Sequence, residues 1–233
     1  MQSMQMSGFL ERLDAVIAER HMLHHPFYQL WNEGALTLPM LQQYAKEYYL
    51  HVHTFPTYVS ATHARCHELS IRQMLLENLI EEEHGPDNHP ELWLRFAEAL
   101  GVSREEIFRH TYLPQTRLAV ELLRELAFRP HPAEGLAALY AYESQVPEVA
   151  AVKLEGLRRY YGITSERGLA FFTVHLHADE VHRTVVREAL AYLCTTTEAQ
   201  ERAIDAAREA ADALNLLLDG VYQTYCLHPP VTS

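Results

Sequence analysis

The segment from Phe171 to Leu190, FFTVHLHADEVHRTVVREAL, has the pattern of a helix that carries metal ligands. His175, Asp179 and His182 follow the spacing H-x3-D-x2-H. Since each residue of an α-helix turns the chain by about 100°, positions i, i+4 and i+7 fall on one narrow stripe. Two imidazoles and a carboxylate on that stripe would supply half of a metal site. The alternative interpretation is an exposed helix face that collects polar residues.

The composition restricts the class of protein. The chain has 233 residues, 48% hydrophobic residues and 9 glycines, as expected of a single helical domain over residues 1–233. Its net charge of −12 offers no basic stripe for nucleic acid or for an anionic membrane surface. No apolar run reaches the roughly 18 residues of a membrane span, and we expect no secretory signal at the N-terminus. The three cysteines form no C-x-x-C pair, which fits a reducing cytoplasm and excludes a cysteine zinc site; they are Cys66, Cys194 and Cys226.

Helical periodicity runs through nearly the whole chain, and no stretch alternates at a period of two for long enough to form a strand. The first helix is predicted to begin near Ser7, which is a possible N-cap. A later helix is predicted over about residues 133–161, with an interruption at Pro147. The sequence therefore predicts an all-α bundle of seven to eight helices with a loose tail from about residue 227.

Two further segments can supply the other half of a metal site. In LIEEEHGPDNHPELW, residues 79–93, Glu82 and His89 are seven positions apart and share a face if the helical turn continues between them. Spacing alone favours a charged helix end here, and four neighbours compete with Glu82, namely Glu81, Glu83, His84 and Asp87. In LYAYESQVP, Glu143 stands in an apolar segment, where a buried carboxylate is costly unless it is paired or bound to a metal.

The residues selected in this way suit a site for two metal ions. A carboxylate-rich set of donors without thiolate favours iron or manganese over zinc, and such a pair of ions suits the activation of O2. The set consists of Glu82, His89, Glu143, His175, Asp179 and His182.

Several motifs taken together resemble the heme-oxygenase-like dimetal oxidases. They are HMLHHPFYQLW at 21–31, YAKEYYLHVHTFP at 44–56, NLIEEEHGPDNHPELW at 78–93, ALYAYESQVP at 138–147 and the H-x3-D-x2-H stripe. Within that group the chain is similar to the CADD-like family, named after the chlamydial protein associating with death domains and related to PqqC and to the TenA thiaminases. The resemblance covers nearly the whole chain and implies an all-helical heme-oxygenase-like fold that binds two metals rather than heme. It points to the same six ligands and selects Glu82 over its acidic neighbours.

The resemblance further implies an activity. Members of the CADD-like family make p-aminobenzoate for folate synthesis by consuming a tyrosine of their own chain, with a lysine as the source of the amino nitrogen. The matching residues here are Tyr28 and Lys153. The implied cofactor is a Fe/Fe or Fe/Mn pair that works with O2 and an external reductant. Tyr44 and Tyr142, like Tyr48, are candidates for radical relay or for hydrogen bonds near the metals, with core packing as their alternative role.

Two other functions stay open. The same scaffold could act over many turnovers as a dimetal oxidase that cleaves or decarboxylates an external amino acid or fatty acid. A non-enzymatic metal-binding or interaction protein would instead bind metal without forming an O2-dependent product. As partners we expect O2 and, as in relatives of this fold, a second copy of the chain in a homodimer, but neither heme, nucleic acid nor a membrane. The expected location is the cytoplasm.

Overall fold

A computed structural model describes residues 2–176 and 180–227, and the regular secondary structure in these residues is helical throughout. The predicted all-α fold is therefore confirmed, although short turns divide the chain into more α-helices than the seven to eight predicted. Their bounds are Gln2–Glu19 (α1), Pro26–Glu33 (α2), Leu38–Arg65 (α3), Leu69–Glu83 (α4), His89–Ala99 (α5), Arg104–Phe108 (α6), Pro114–Phe128 (α7), Pro132–Glu143 (α8), Val146–Arg159 (α9), Glu166–Leu176 (α10), Glu180–Leu193 (α11) and Thr197–Val221 (α12). A 3-10 turn, Met22–His24, precedes α2, and a π-helical turn, Tyr222–Cys226, follows α12. Among the described helices, none combines the length and the hydropathy that crossing a membrane requires.

Two boundaries correct the prediction. Helix α1 begins at Gln2, so Ser7 lies inside it instead of capping it. The segment predicted as one interrupted helix over 133–161 forms two helices, α8 and α9, with Ser144 and Gln145 between them. Pro147 lies in the first turn of α9, where its missing N–H removes no hydrogen bond from the helix. Sequence periodicity does not distinguish an interruption of this kind from a complete separation.

Small side chains allow the central helices to approach closely. Helix α12 packs against α7 and α8, and its buried face is rich in alanine, including Ala203, Ala207 and Ala210. Helix α8 is similarly rich in small residues, and a Cβ atom at Gly135 would lie 2.7 Å from Oγ1 of Thr62 in α3. The backbones therefore meet at distances that larger side chains would prevent.

The longest helix, α3, organises the interior. It packs against α4, α5, α7 and α8. Tyr44, Tyr48 and His51 recur at helical spacing and are all buried, so they form one stripe that faces the inside of the bundle. Helix α2 places Trp31 against this stripe, with its ring 6.0 Å from that of Tyr44. Helix α10 packs against α5 and α9, and this packing completes the region around the candidate site.

Candidate metal centre and buried tyrosine–lysine cluster

Three of the predicted metal ligands lie together. Glu82 is in the last turn of α4, His89 begins α5, and His175 is in the last turn of α10. One carboxylate oxygen and one nitrogen from each imidazole all lie within 4.8 Å of one another. A carboxylate and two imidazoles at this spacing could hold one metal ion of the first transition row.

A tight turn, rather than a continued helix, brings Glu82 and His89 together. Helix α4 ends at Glu83, and Gly85 then takes a left-handed conformation with a φ of 81°. Asn88 fixes the turn because its Nδ2 donates to the Gly85 carbonyl at 2.7 Å and its side chain caps α5. As a result, Nδ1 of His89 lies 2.8 Å from Oε2 of Glu82. The two residues therefore meet across a turn at the end of the helix, and not on one face of a continued helix.

The orientation of His175 leaves one ring nitrogen free for an ion. Its Nδ1 donates to the Phe171 carbonyl one turn earlier, at 2.5 Å, and this bond fixes the proton on Nδ1. The Nε2 lone pair is therefore available as a ligand, as in many metal-bound histidines that donate through their other nitrogen. Burial, followed by the nearby His89, lowers the pKa of His175 to about 3. The imidazole is thus neutral near pH 7, which is the state that binds a metal.

The fourth predicted ligand, Glu143, is near enough to Glu82 and His89 for their charges to act on it, but it is not one of the three grouped donors. It is the last residue of α8, is half-buried, and accepts a hydrogen bond of 2.5 Å from Nδ2 of Asn78. Burial raises the pKa of Glu143 to about 7, and the neighbouring Glu82 acts in the same direction. Asp179 lies outside the described residues, as does the side chain of His182.

Tyr28, Tyr44 and Lys153 form a second group, in the interior. Tyr28 in α2 and Tyr44 in α3 have no exposed surface, and Lys153 in α9 is only 3% exposed. Nζ of Lys153 donates to the Tyr44 hydroxyl at 2.6 Å and lies 5.7 Å from the centre of the Tyr28 ring. Burial raises the pKa of both tyrosines well above the ordinary range. The structure thus brings together the tyrosine and the lysine that the resemblance singled out.

The environment of Lys153 favours the uncharged amine. Five aromatic rings lie within 5.7 Å of its Nζ, and no carboxylate among the described residues pairs with it. The rings belong to Tyr28, Tyr44, Tyr48, Trp93 and Phe172. Because burial removes the water that would solvate an ammonium, the pKa of Lys153 falls to about 7. A large fraction of the amines therefore carry a free lone pair at neutral pH.

Aromatic contacts join the lysine to the metal group. The ring of Tyr48 lies 5.3 Å from that of Tyr44 and 5.3 Å from that of His51. His51 in turn lies 4.7 Å from the ring of Tyr142, the residue directly before Glu143. Tyr142 is next to the candidate ligand Glu143, and Tyr44 is hydrogen-bonded to Lys153. A relay between the metal group and the lysine would require both contacts.

Sequence reasoning missed two residues in this region. Asn78 holds Glu143, and His51 is buried with neither ring nitrogen bonded to any described residue. Burial and the nearby Lys153 lower the pKa of His51 to about 3. His51 does share the helical spacing of Tyr44 and Tyr48, and that stripe is a signal that could have identified it. Asn78 has no comparable signal, because its partner is 65 residues away.

The fold and the two groups define a helical-bundle protein with a carboxylate–imidazole centre beside a buried aromatic cluster. Residues 42–215 match the sequence model of a family described as iron-containing redox enzymes, and the chain belongs to this family. The resemblance to heme-oxygenase-like proteins is therefore confirmed, and with it the inference of an iron-dependent redox enzyme.

The chain is similar to curated proteins named 4-aminobenzoate synthase, which is another name for a p-aminobenzoate synthase. The one from Chlamydia pneumoniae is 46% identical over 209 residues, covering 90% of this chain and 92% of the relative. The one from Nitrosomonas europaea is 40% identical over 232 residues, covering 96% and 94%. Among solved structures, a CADD-like protein from Nostoc punctiforme matches with a TM-score of 0.77 at 16% identity, covering 99% of this chain and 100% of that one. At this identity the structural match shows the fold alone.

Proposed function

We propose that this protein is an O2-dependent 4-aminobenzoate synthase that uses its own Tyr28 as the source of the aromatic ring and Lys153 as the source of the amino nitrogen. The observation that carries the proposal is the position of the Lys153 amine, whose Nζ is buried in an aromatic cage 5.7 Å from the centre of the Tyr28 ring. The names and the high identity of the relatives support the same product.

The donors present fit a pair of iron ions or an iron and a manganese ion. Glu82, His89 and His175 would hold one ion, and Glu143, Asp179 and His182 are the proposed ligands of the other. Oxygen and imidazole donors without thiolate are the ligands that these metals favour. When bound, the metals would supply oxidation by O2, with electrons from an external reductant.

The residues around Tyr28 would prepare its ring for this oxidation. Tyr28 is fully buried, so its ring is shielded from bulk solvent. Lys153 donates one N–H to Tyr44, and its Nζ lies among the rings of the cage. The neutral amine can then form a C–N bond to the oxidised ring in place of the phenolic oxygen, which leaves as water. Release of 4-aminobenzoate also requires cleavage of the Lys153 Cε–Nζ bond and of the Tyr28 Cα–Cβ bond, with Cβ oxidised to the carboxylate and O2 as the oxidant.

Tyr48 and Tyr142 are proposed to connect the oxidant with Tyr28. The chain of ring contacts from Tyr44 through Tyr48 and His51 to Tyr142 never exceeds 5.3 Å between neighbours. Burial raises the pKa of Tyr48 to about 12, so this phenol stays protonated in the resting protein. A neutral phenol in a dry interior passes an electron together with a proton, and a relay along these rings would have to move both.

The decisive experiment uses no organic substrate. Purified protein is loaded anaerobically with ferrous iron, or with iron and manganese, and is then given a reductant and O2. Mass spectrometry measures free 4-aminobenzoate and the mass of the peptide containing Tyr28. We expect at most about one product per chain, together with a lighter Tyr28 peptide. Product that accumulates over many turnovers with an intact peptide would instead establish an external substrate.

Matched variants separate the roles of the two residues. Tyr28→Phe should give no product, whereas Tyr58→Phe should still give it, because Tyr58 is also buried but donates a hydrogen bond to the Val120 carbonyl, away from the cage.

The chain contains only the lysines Lys46 and Lys153. In a Lys46→Arg variant grown with lysine carrying heavy nitrogen in its side chain, the label should appear in the product. Unlabelled product would remove Lys153 as the nitrogen source.

A further inference from the structure

Asn78 links the two helices that carry the carboxylate ligands. It lies in α4, one helical turn before Glu82, and its side chain therefore shares a face with that residue. Its Nδ2 donates to Oε1 of Glu143 at 2.5 Å, across 65 residues of sequence. Helix α4 thus provides one candidate ligand and also the amide that holds another.

The hydrogen bond from Asn78 offsets two effects that disfavour the charged form of Glu143. Glu143 is the last residue of α8, where the negative end of the helix dipole disfavours a carboxylate. The carboxylate of Glu82 repels it as well. A donor placed at Oε1 counters both effects, and its bond occupies one of the two carboxylate oxygens. Oε2 takes no part in this bond, so both of its lone pairs stay available to an ion.

We propose that Asn78 is a positioning residue that orients Glu143 and thereby sets the affinity of the second metal ion. This inference rests on the metal centre of the proposed function. Glu82, His89 and His175 already lie within 4.8 Å of one another without any contribution from Asn78. The effect of losing the amide should therefore fall on one ion only.

The expected loss of affinity for the second ion follows from the role of Asn78 in orienting a metal ligand. Groups that orient a ligand through a hydrogen bond change metal affinity by about 10- to 100-fold when they are removed. Asn78→Leu keeps a similar volume and removes the donor. The second ion should therefore bind about 10- to 100-fold more weakly, while the first ion keeps its wild-type affinity.

The test is an anaerobic titration with ferrous iron alone, in competition with a coloured chelator, followed by metal analysis. Wild type should bind two ions. Asn78→Leu should bind only the second ion more weakly, and Asn78→Ala, with a smaller side chain, should give the same result. Asn215→Leu is the matched control, because its Nδ2 donates to the Arg20 carbonyl at 2.7 Å, remote from the site, and both ions should bind normally. An unchanged affinity for the first ion also shows that each variant is folded.

The Glu143→Gln variant distinguishes a failure of the role of Asn78 from a failure of the metal centre itself. If this variant loses the second ion while Asn78→Leu titrates like wild type, the role of Asn78 is refuted and the metal centre stands. If Glu143→Gln itself binds two ions with wild-type affinity, Glu143 is not a ligand, and both the assignment of the centre and the inference fail.

Discussion

Replacing Lys153 by methionine should make the protein more stable, although it removes a residue that the proposed reaction needs. In the folded protein the pKa of Lys153 is lowered from 10.5 to about 7, because its ammonium is buried. At pH 7 the unfolded lysine is charged and the folded one is only half charged. Since each tenfold change in protonation is about 1.4 kcal/mol, this difference costs the folded state about 4 kcal/mol.

The lost hydrogen bond to Tyr44 reduces the gain. Such a bond contributes about 1 kcal/mol, so Lys153→Met should be about 3 kcal/mol more stable than wild type at pH 7. Between pH 7 and 10.5 the unfolded chain binds more protons than the folded one, so the stability of wild type rises with pH over this window. The variant lacks this rise, and the two proteins should be about equally stable near pH 10.

The assay is urea unfolding of metal-free protein with a thiol reductant, at about pH 7 and about pH 10. Lys46→Met is the control, because Nζ of the partly buried Lys46 lies 3.9 Å from an oxygen of the exposed Glu106, and the loss of this long ion pair should change stability by less than about 1 kcal/mol at either pH. A Lys153→Met variant that is less stable than wild type at pH 7, or whose difference from wild type does not depend on pH, would refute a lowered pKa of Lys153.

Three further outcomes test other parts of the structure. Tyr28→Phe should abolish 4-aminobenzoate in the mass spectrum but leave thermal stability unchanged or up to about 1 kcal/mol higher, because its hydroxyl has no partner among the described residues; a clear loss of stability would contradict this. Glu82→Gln should lower iron affinity at least about tenfold in chelator competition, since it replaces one of three grouped donors; unchanged affinity would exclude Glu82 as a ligand. In Gly156→Ala the new methyl group would lie 2.3 Å from Nε1 of Trp31, so urea unfolding should show a loss of about 1–3 kcal/mol, and wild-type stability would disprove the close contact of α2 with α9.

The helical fold was predictable because each element carries its own signal. Apolar residues at a period of 3.6 identify buried helix faces without any long-range information. The helix boundaries were less predictable. The separation of α8 from α9 falls at Ser144 and Gln145, which are neither proline nor glycine, and Gln145 lies two positions before Pro147, where the sequence predicts the interruption.

The candidate site was predictable only in part, because its residues meet through tertiary contacts. Spacing placed Glu82 near His89 but did not distinguish it from its acidic neighbours, since the left-handed turn at Gly85 decides which carboxylate faces the imidazole. The low pKa of Lys153 depends on burial among aromatic rings from four other helices, and nothing in the sequence next to Lys153 indicates that cage. The resemblance to a family, and not a local pattern, selected Glu82 and pointed to Tyr28 and Lys153.

The complete burial of the Tyr28 ring has a consequence for the lifetime of the polypeptide. Its ring packs 5.5 Å from that of Phe27 and 6.4 Å from that of Trp31. If the proposed reaction removes this ring, the spent chain is left with a cavity, and comparable aromatic deletions cost about 3–5 kcal/mol. That is a large share of the roughly 5–15 kcal/mol by which domains are stable. Each molecule would then be used once and would, by the same act, become an easier target for the proteases that recycle it.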